Sequence, residues 1–267
     1  MISNLFGGGR GRILVVPGNP IPEEAVRRHG ARHRARPGEK QVGETADFAF
    51  YTDGTPEGDA AIEAMARNAE ADLAAVQEWF GGITVQGLPF QVYADPDAGG
   101  AYHLTCAGTD IHVLPDRDRA PGFLLAEIVE VFEAAIKNGW DCGHTNGEAL
   151  SRVLAFERYP PLAADFVQTE QAWWANGHQD YVSFNGADDV NPYANGCGDL
   201  FLYYLHSQLT FGWGDIVRTG GKSLGATYQT LAGYPPAQGF SDFISLLKGI
   251  DEKGVLTLPG SGNPFPL

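Results

Sequence analysis

The chain is poor in cysteine, in positive charge and in long apolar runs, and each shortage excludes something. Three cysteines, Cys106, Cys142 and Cys197, are too few for a disulfide scaffold and lack the paired short spacing of a zinc knuckle. At most one bridge can form; Cys142 and Cys197, both in glycine-flanked loops of the second half, are a candidate pair, and the sequence leaves open whether they join. Eighteen Lys and Arg against 33 Asp and Glu give a net charge of -15, a body that repels nucleic acid and anionic membrane. No apolar stretch approaches the roughly 20 residues of a membrane span. The start, MISNLFGGGRGRILVV, has no basic region followed by a sustained apolar run and a small-residue cleavage site, so no secretory leader is expected and the cytoplasm is the expected location. What is present is 43% hydrophobic and 11% aromatic residues, which is the composition of a folded domain.

The charge is unevenly spread. Residues 1–40 hold eight Lys and Arg against three Glu, a net of +5, which leaves -20 on the rest. With GGGRGR at its start and four glycine or proline breaks between Pro17 and Pro22, this segment reads as a basic arm folded on its own acidic domain. A second reading is self-association through the arm, and residues 10–40 are the one place where nucleic acid would be attracted.

Past the arm, a polar stretch to Glu44 reads as linker before a strand at Asp47 to Thr52. From Asp59 to Phe80, Ile62, Met65, Ala69, Leu73, Val76 and Phe80 recur at spacings of three and four, the apolar face of a helix that Gly81 and Gly82 stop. Strand-like segments follow at Ile83 to Ala94 and Tyr102 to Leu114. A helix then runs from Gly122 to about Asn138, and further helices are expected at Glu148 to Phe156, Ala163 to Trp174, Gly198 to Gln208 and Leu224 to Leu231. This order predicts an α+β domain, with a sheet-containing half at 41–140 and a helical half at 141–267, and a cleft between them.

The helix after Gly122 carries apolar residues almost all round, which predicts burial. Its acids Glu127, Glu130 and Glu133 fall at i, i+3 and i+6 as one polar stripe. Carboxylates on a buried helix need a cleft, a partner charge or a cation, because an unpaired buried charge is costly. A cleft is expected along this stripe.

Ala126-Glu127-Ile128-Val129-Glu130, then Asn146-Gly147-Glu148-Ala149-Leu150-Ser151-Arg152, resembles the gluzincin branch of the zincin-like metallopeptidases. That family carries H-E-x-x-H on such a helix and a third ligand, a Glu, on the next. Here Glu127 keeps the position of the general base, while the two His positions are Ala126 and Glu130. Glu148 follows Glu130 after 17 residues, close to the family spacing, with Gly147 as an insertion before it. The resemblance spans roughly residues 47–160 and implies a zincin-like fold: a small mixed sheet, a long helix and an active-site-type helix, then a mostly helical half. The family's acid after the Ser is Arg152 here, so the orienting partner of the first His is lost together with that His. Arg152 is therefore expected to form a salt bridge with Glu127, Glu130 or Glu148 in place of the metal.

No bound metal is the expectation that follows. The alternative is a carboxylate-rich site of Glu130, Glu148 and His144, which suits Ca²⁺, Mn²⁺ or Mg²⁺ better than Zn²⁺. His103 and His112, on the strands before the helix, read as structural. A Cys142 and His144 nucleophile pair is disfavoured, because residues two apart rarely aim at each other. Trp173, Trp174, Tyr181 and Tyr193 belong to an aromatic-rich half that reads first as core, and second as a stacking surface for a glycan or peptide.

Other motifs fail: the N-terminal glycines precede a strand instead of following one, Ile216 stands where a phosphate loop ending in Gly221-Lys222-Ser223 needs Gly, and there is no Gly-x-Ser-x-Gly. Two functions remain. One is a non-catalytic zincin-like domain that binds a peptide, glycan or protein, or assembles with itself. The other is a metal-dependent hydrolase with Glu127 as general base and Glu130 and Glu148 as ligands.

Overall fold

The computed structural model describes residues 39–186, 191–251 and 262–265. Most of the basic arm, residues 1–38, and the Asp188 to Val190 part of the aspartate-rich loop lie outside the described residues. The described chain is an α+β fold with a five-stranded mixed sheet followed by helices. None of its helices is long and apolar enough to cross a membrane.

Strands β1 (Lys40–Glu44), β2 (Phe48–Thr52), β3 (Phe90–Ala94), β4 (Ala101–His103) and β5 (Asp110–Val113) lie in the order β1-β2-β3-β5-β4. The inner pairs, β2 with β3 and β3 with β5, are parallel, and the two outer strands pair antiparallel. The parallel strands are buried along most of their length. β1 corrects the expected linker: every residue of it is exposed, so it shows no apolar alternation, and its ladder to β2 alone makes it a strand. The expected strand at 102–114 is two strands, because the chain reverses between Leu104 and Thr109 and pairs β4 back on β5.

Helix α1 (Pro56–Trp79) connects the parallel strands β2 and β3. Thr55 caps it by accepting the Gly58 N–H at 3.1 Å, and Gly81 and Gly82, both at positive φ, follow its end. Its apolar stripe, Ile62, Met65, Ala69, Leu73 and Val76, is buried.

Helix α2 (Ala120–Ile136) is buried from Ala120 through Glu133. It packs against α1, against β4 and β5, and against α3 (Thr145–Arg158), and α3 is itself buried from Thr145 to Phe156. Around α3 lie α4 (Pro160–Ala175) and α5 (Pro192–Tyr203), the latter running into a π-helical turn, Tyr204–Gln208. Three further helices close this half: α6 (Trp213–Thr219), α7 (Leu224–Ala232) and α8 (Pro236–Ile250). A single contiguous apolar cluster runs from Phe48 to Phe265 through both halves.

Two glycines let the central helices approach. A Cβ on Gly147 of α3 would strike the Asp141 carbonyl and the Glu133 carboxylate, and one on Gly198 of α5 would lie 2.6 Å from the Ala149 Cβ of α3. Gly147, which reads in sequence as an insertion, is thus the point where α3 meets the last acid of the α2 stripe.

Candidate functional site

The α2 stripe does not line an open cleft. Glu127 is 1% exposed, Glu130 2% and Glu133 0%. The helix is enclosed by β4, β5, α1 and α3, so an acid on any side of it meets protein. Facing Glu127 and Glu130 from the edge strand β4 is His103. Its Nδ1 lies 2.8 Å from Glu127 Oε2 and its Nε2 3.6 Å from Glu130 Oε2. The first contact is short but lies outside the angular range of a hydrogen bond, since Nδ1 has no aligned acceptor.

Beyond Glu130 the polar groups continue into the helical half. Arg152 of α3 is 1% exposed and lies 3.6 Å from Glu148 Oε2, one turn before it on the same helix. Of the three acids named as its partners, Glu148 is the one at ion-pair distance. The guanidinium sits over the Phe166 ring at 5.8 Å, and none of its three nitrogens makes a hydrogen bond within the described residues. Its positive charge also reaches Glu130, Glu170 of α4 and Asp199 of α5. All of these acids are buried.

One guanidinium and one imidazole cannot neutralise six buried acids, so protons balance the remainder. Burial pushes Glu127 up to about 8. Burial, with the neighbouring Glu127 adding, pushes Glu130 to about 8 against the opposing pull of His103, a Ser151 hydrogen bond and Arg152. Glu133 and Glu170 are raised well above the usual carboxylate range, first by burial and then by Glu130 and Asp141 in one case and by Asp199 in the other. Asp199 rises to about 7 by burial, opposed by Arg152. His103 is lowered by burial, opposed by Glu130. Near neutral pH the cluster is therefore largely protonated carboxyls beside a neutral imidazole, a hydrogen-bonding interior and not an ionised one.

The remaining candidates are placed as follows. Glu148 opens α3, where its Oε1 accepts the Gly143 N–H at 3.3 Å. His144 precedes that helix, its Nδ1 3.2 Å from Asp141 and its side chain one-third exposed. Among the described residues, the His, Cys, Asp and Glu group whose donor atoms all lie within 4.8 Å of one another is His103, Glu130 and Cys142. Neither Glu148 nor His144 belongs to it. The disulfide is corrected too. Cys106 pairs with Cys142, Cα atoms 5.8 Å apart, and Cys197 is a free, buried thiol pushed up by burial. The bridge ties the β4–β5 turn to the loop between α2 and α3, whereas Cys197 lies inside α5.

Of the aromatic candidates, the two tryptophans are committed to the core. Trp173 stacks on Phe243 at 5.6 Å and donates its indole N–H to the Gln179 carbonyl. Trp174 stacks on His178 and donates to Asp251 Oδ2 at 3.1 Å. Tyr181 and Tyr193 are half-buried against the same cluster. With faces covered and N–H groups used, the indoles leave little surface for a sugar or peptide.

His103 is the residue that sequence reading missed as a site group. Its one signal is position, on the strand segment preceding α2. His112, on the neighbouring strand, carries the same signal but is held by Asp95 at 3.1 Å between the Tyr93 and Tyr102 rings, a packing role. Comparison with family models, with curated proteins and with solved structures finds no match to this chain.

Proposed function

We infer that this is a zincin-like domain of the gluzincin pattern that does not act as a peptidase and serves instead in binding or assembly. The observation carrying this reading is the enclosure of Glu127. A general base must come within about 3 Å of a water or substrate proton, and in this family's chemistry that water is polarised by an open metal position. Glu127 is instead 1% exposed, with the His103 imidazole against it. Burial keeps its proton on at neutral pH, which is the wrong state for a base. The zincin-like comparison draws support from the antiparallel edge strand β4 beside α2, from the long α1 preceding it, and from Glu148 on the next helix.

For a partner, the buried indoles remove the stacking surface for a glycan and for a peptide alike, so the reading of a peptide or protein partner rests on the edge of the sheet. The exposed edge strand β1 borders a groove lined by Val42, Phe50 and Ile62 together with the acids Glu44, Asp59 and Glu63, and the free edge of such a strand is where an extended segment adds as a further strand. The test of the whole reading is peptide hydrolysis by the purified chain with Zn²⁺, Mn²⁺ or Ca²⁺ and with chelator. The expected result is no turnover. Metal-dependent turnover that Glu127→Gln abolishes would establish the hydrolase reading in its place.

A further inference from the structure

We propose that His103, Glu130 and the Cys142 thiolate form a zinc site that is available only when the Cys106–Cys142 disulfide is reduced. The three side chains come from β4, from α2 and from the loop before α3, and their donor atoms converge within 4.8 Å of one another. The 3.6 Å between His103 Nε2 and Glu130 Oε2 is too long for a hydrogen bond. It is close to the ~3.4 Å that separates two ligands on a tetrahedron with zinc bonds of about 2.1 Å.

Behind the imidazole, Glu127 Oε2 sits 2.8 Å from Nδ1. A small ring rotation would aim the Nδ1–H at Glu127 Oε2, which accepts it, and leave Nε2 as the metal-facing lone pair, the arrangement in which a carboxyl oxygen orients a zinc-bound histidine. Glu127 is thereby a positioning residue and not a ligand. Glu130 Oε1 and Glu127 Oε1 are buried without a hydrogen-bond partner among the described residues, so the pocket retains acceptor capacity. A thiolate, an imidazole and a carboxylate form a donor set for zinc and not for Ca²⁺ or Mg²⁺, which take oxygen ligands.

Cys142 is the switch. Only a thiolate ligates, and in the oxidised chain its sulfur is bonded to Cys106. A dithiol reductant breaks that S–S bond by supplying two electrons and two protons, is itself oxidised to a disulfide, and leaves two thiols. Zinc then displaces two protons to solvent, one from the Cys142 thiol and one from the Glu130 carboxyl. In one redox state the bridge holds the β4–β5 turn to the α2–α3 loop, and in the other zinc holds that loop to β4 and α2. This goes beyond the reading above, since a zinc enclosed by buried ligands organises structure whether or not the protein hydrolyses anything.

The experiment uses the full chain, oxidised or treated with a phosphine reductant, equilibrated with Zn²⁺, dialysed against zinc-free buffer and submitted to elemental analysis. The expected result is about one zinc per reduced chain and roughly a tenth of that or less in the oxidised chain. Cys106→Ser is expected to bind about one zinc without reductant, while Cys142→Ser and His103→Gln lose it. With Co²⁺ as the probe, Cys106→Ser should show a thiolate-to-cobalt charge-transfer band that Cys142→Ser lacks. Near-ultraviolet circular dichroism reports folding, and a reduced chain that unfolds without zinc and refolds with it supports the site. The proposal is overturned if reduced protein and Cys106→Ser stay zinc-free, if zinc fails to refold a reduced chain, or if oxidised protein or Cys142→Ser loads equally. Peptide hydrolysis by the zinc-loaded chain would sink the non-catalytic reading and leave the site standing.

Discussion

The imidazole of His103 on β4 and the carboxylate of Glu127 on α2 meet at 2.8 Å inside the protein, with Glu130 on the other side of the same ring. An edge-strand histidine thus faces the first two acids of the α2 stripe. Replacing it tests how far the enclosure depends on it. His103→Leu keeps the apolar volume but leaves Glu127 and Glu130 facing each other with no polar partner from β4. It should destabilise the fold by about 1–3 kcal/mol, the cost of burying a polar group with no polar partner. Urea denaturation checks this, and a change within ~0.5 kcal/mol would mean that the ring is a mere filler.

Arg152 should be costlier. It is the one guanidinium among Glu148, Glu170 and Asp199, and removing one partner of a buried ionic group costs about 3–5 kcal/mol. Arg152→Met is expected to lose stability in that range, and adding Asp199→Asn should restore part of it, because the acid then needs no positive neighbour. If the two losses simply add in a double-mutant cycle, the residues do not interact.

Stability should fall as pH rises toward neutrality. Asp199 is raised from 3.8 to about 7, and Glu170 is raised well above 4.5, so between those limits the folded chain holds protons that the unfolded chain releases. Their contribution is fully present below about pH 4 and is lost as pH climbs through the folded values. His103 has the opposite sign. Its folded value is depressed, so its contribution is present above 6.5 and lost as pH falls. The melting temperature, followed by circular dichroism, should decline between about pH 5 and 8, and Asp199→Asn should flatten that decline. A Tm that rises steadily across this window in the wild-type chain would contradict the protonated cluster.

Gly147→Ala should be disruptive although alanine is the better helix former. The added methyl meets the Asp141 carbonyl and the Glu133 carboxylate, and overpacking of this kind costs about 1–3 kcal/mol. Gly249→Ala, where a Cβ would meet nothing within 4 Å, is the matched control and should be neutral or mildly stabilising. Equal effects at the two positions in thermal melts would remove the close-approach argument.

Reduction should weaken the metal-free fold. The Cys106–Cys142 bridge closes a segment with a sequence separation of 36, for which loop-closure entropy gives about 3–4 kcal/mol. Unfolding in chelator, with and without reductant, should differ by that order. Cys197→Ser leaves the bridge intact, so the reductant-dependent difference should persist in it unchanged.

The local pattern of the chain determined a good deal. The period of Ile62 to Phe80 and the all-round apolarity after Gly122 were enough to place α1 and α2 within a few residues, since helix periodicity is carried by neighbours three and four apart. The same spacing put Glu127, Glu130 and Glu133 on one stripe. Segments without such a period were not legible: β1 is wholly exposed and α6 is a short helix of 7 residues, whereas α8 does carry the period, at Phe240, Phe243, Ile244 and Leu247, and the sequence reading missed it. Short strands such as β4 and β5 merged into one, because their boundary is a reversal that only pairing reveals.

What the stripe faces was decided by tertiary structure alone. Sequence spacing says which acids share a helix side but nothing about what packs there, and the packing of α2 against β4 and α3 turned an expected cleft into an interior. It also brought His103 to those acids, joined Cys142 to Cys106 across 36 positions in sequence instead of to Cys197, and gathered Glu170 and Asp199 around Arg152. Each of these is a contact between elements distant in the chain, and a burial so complete that the acids keep their protons follows from how many elements enclose them.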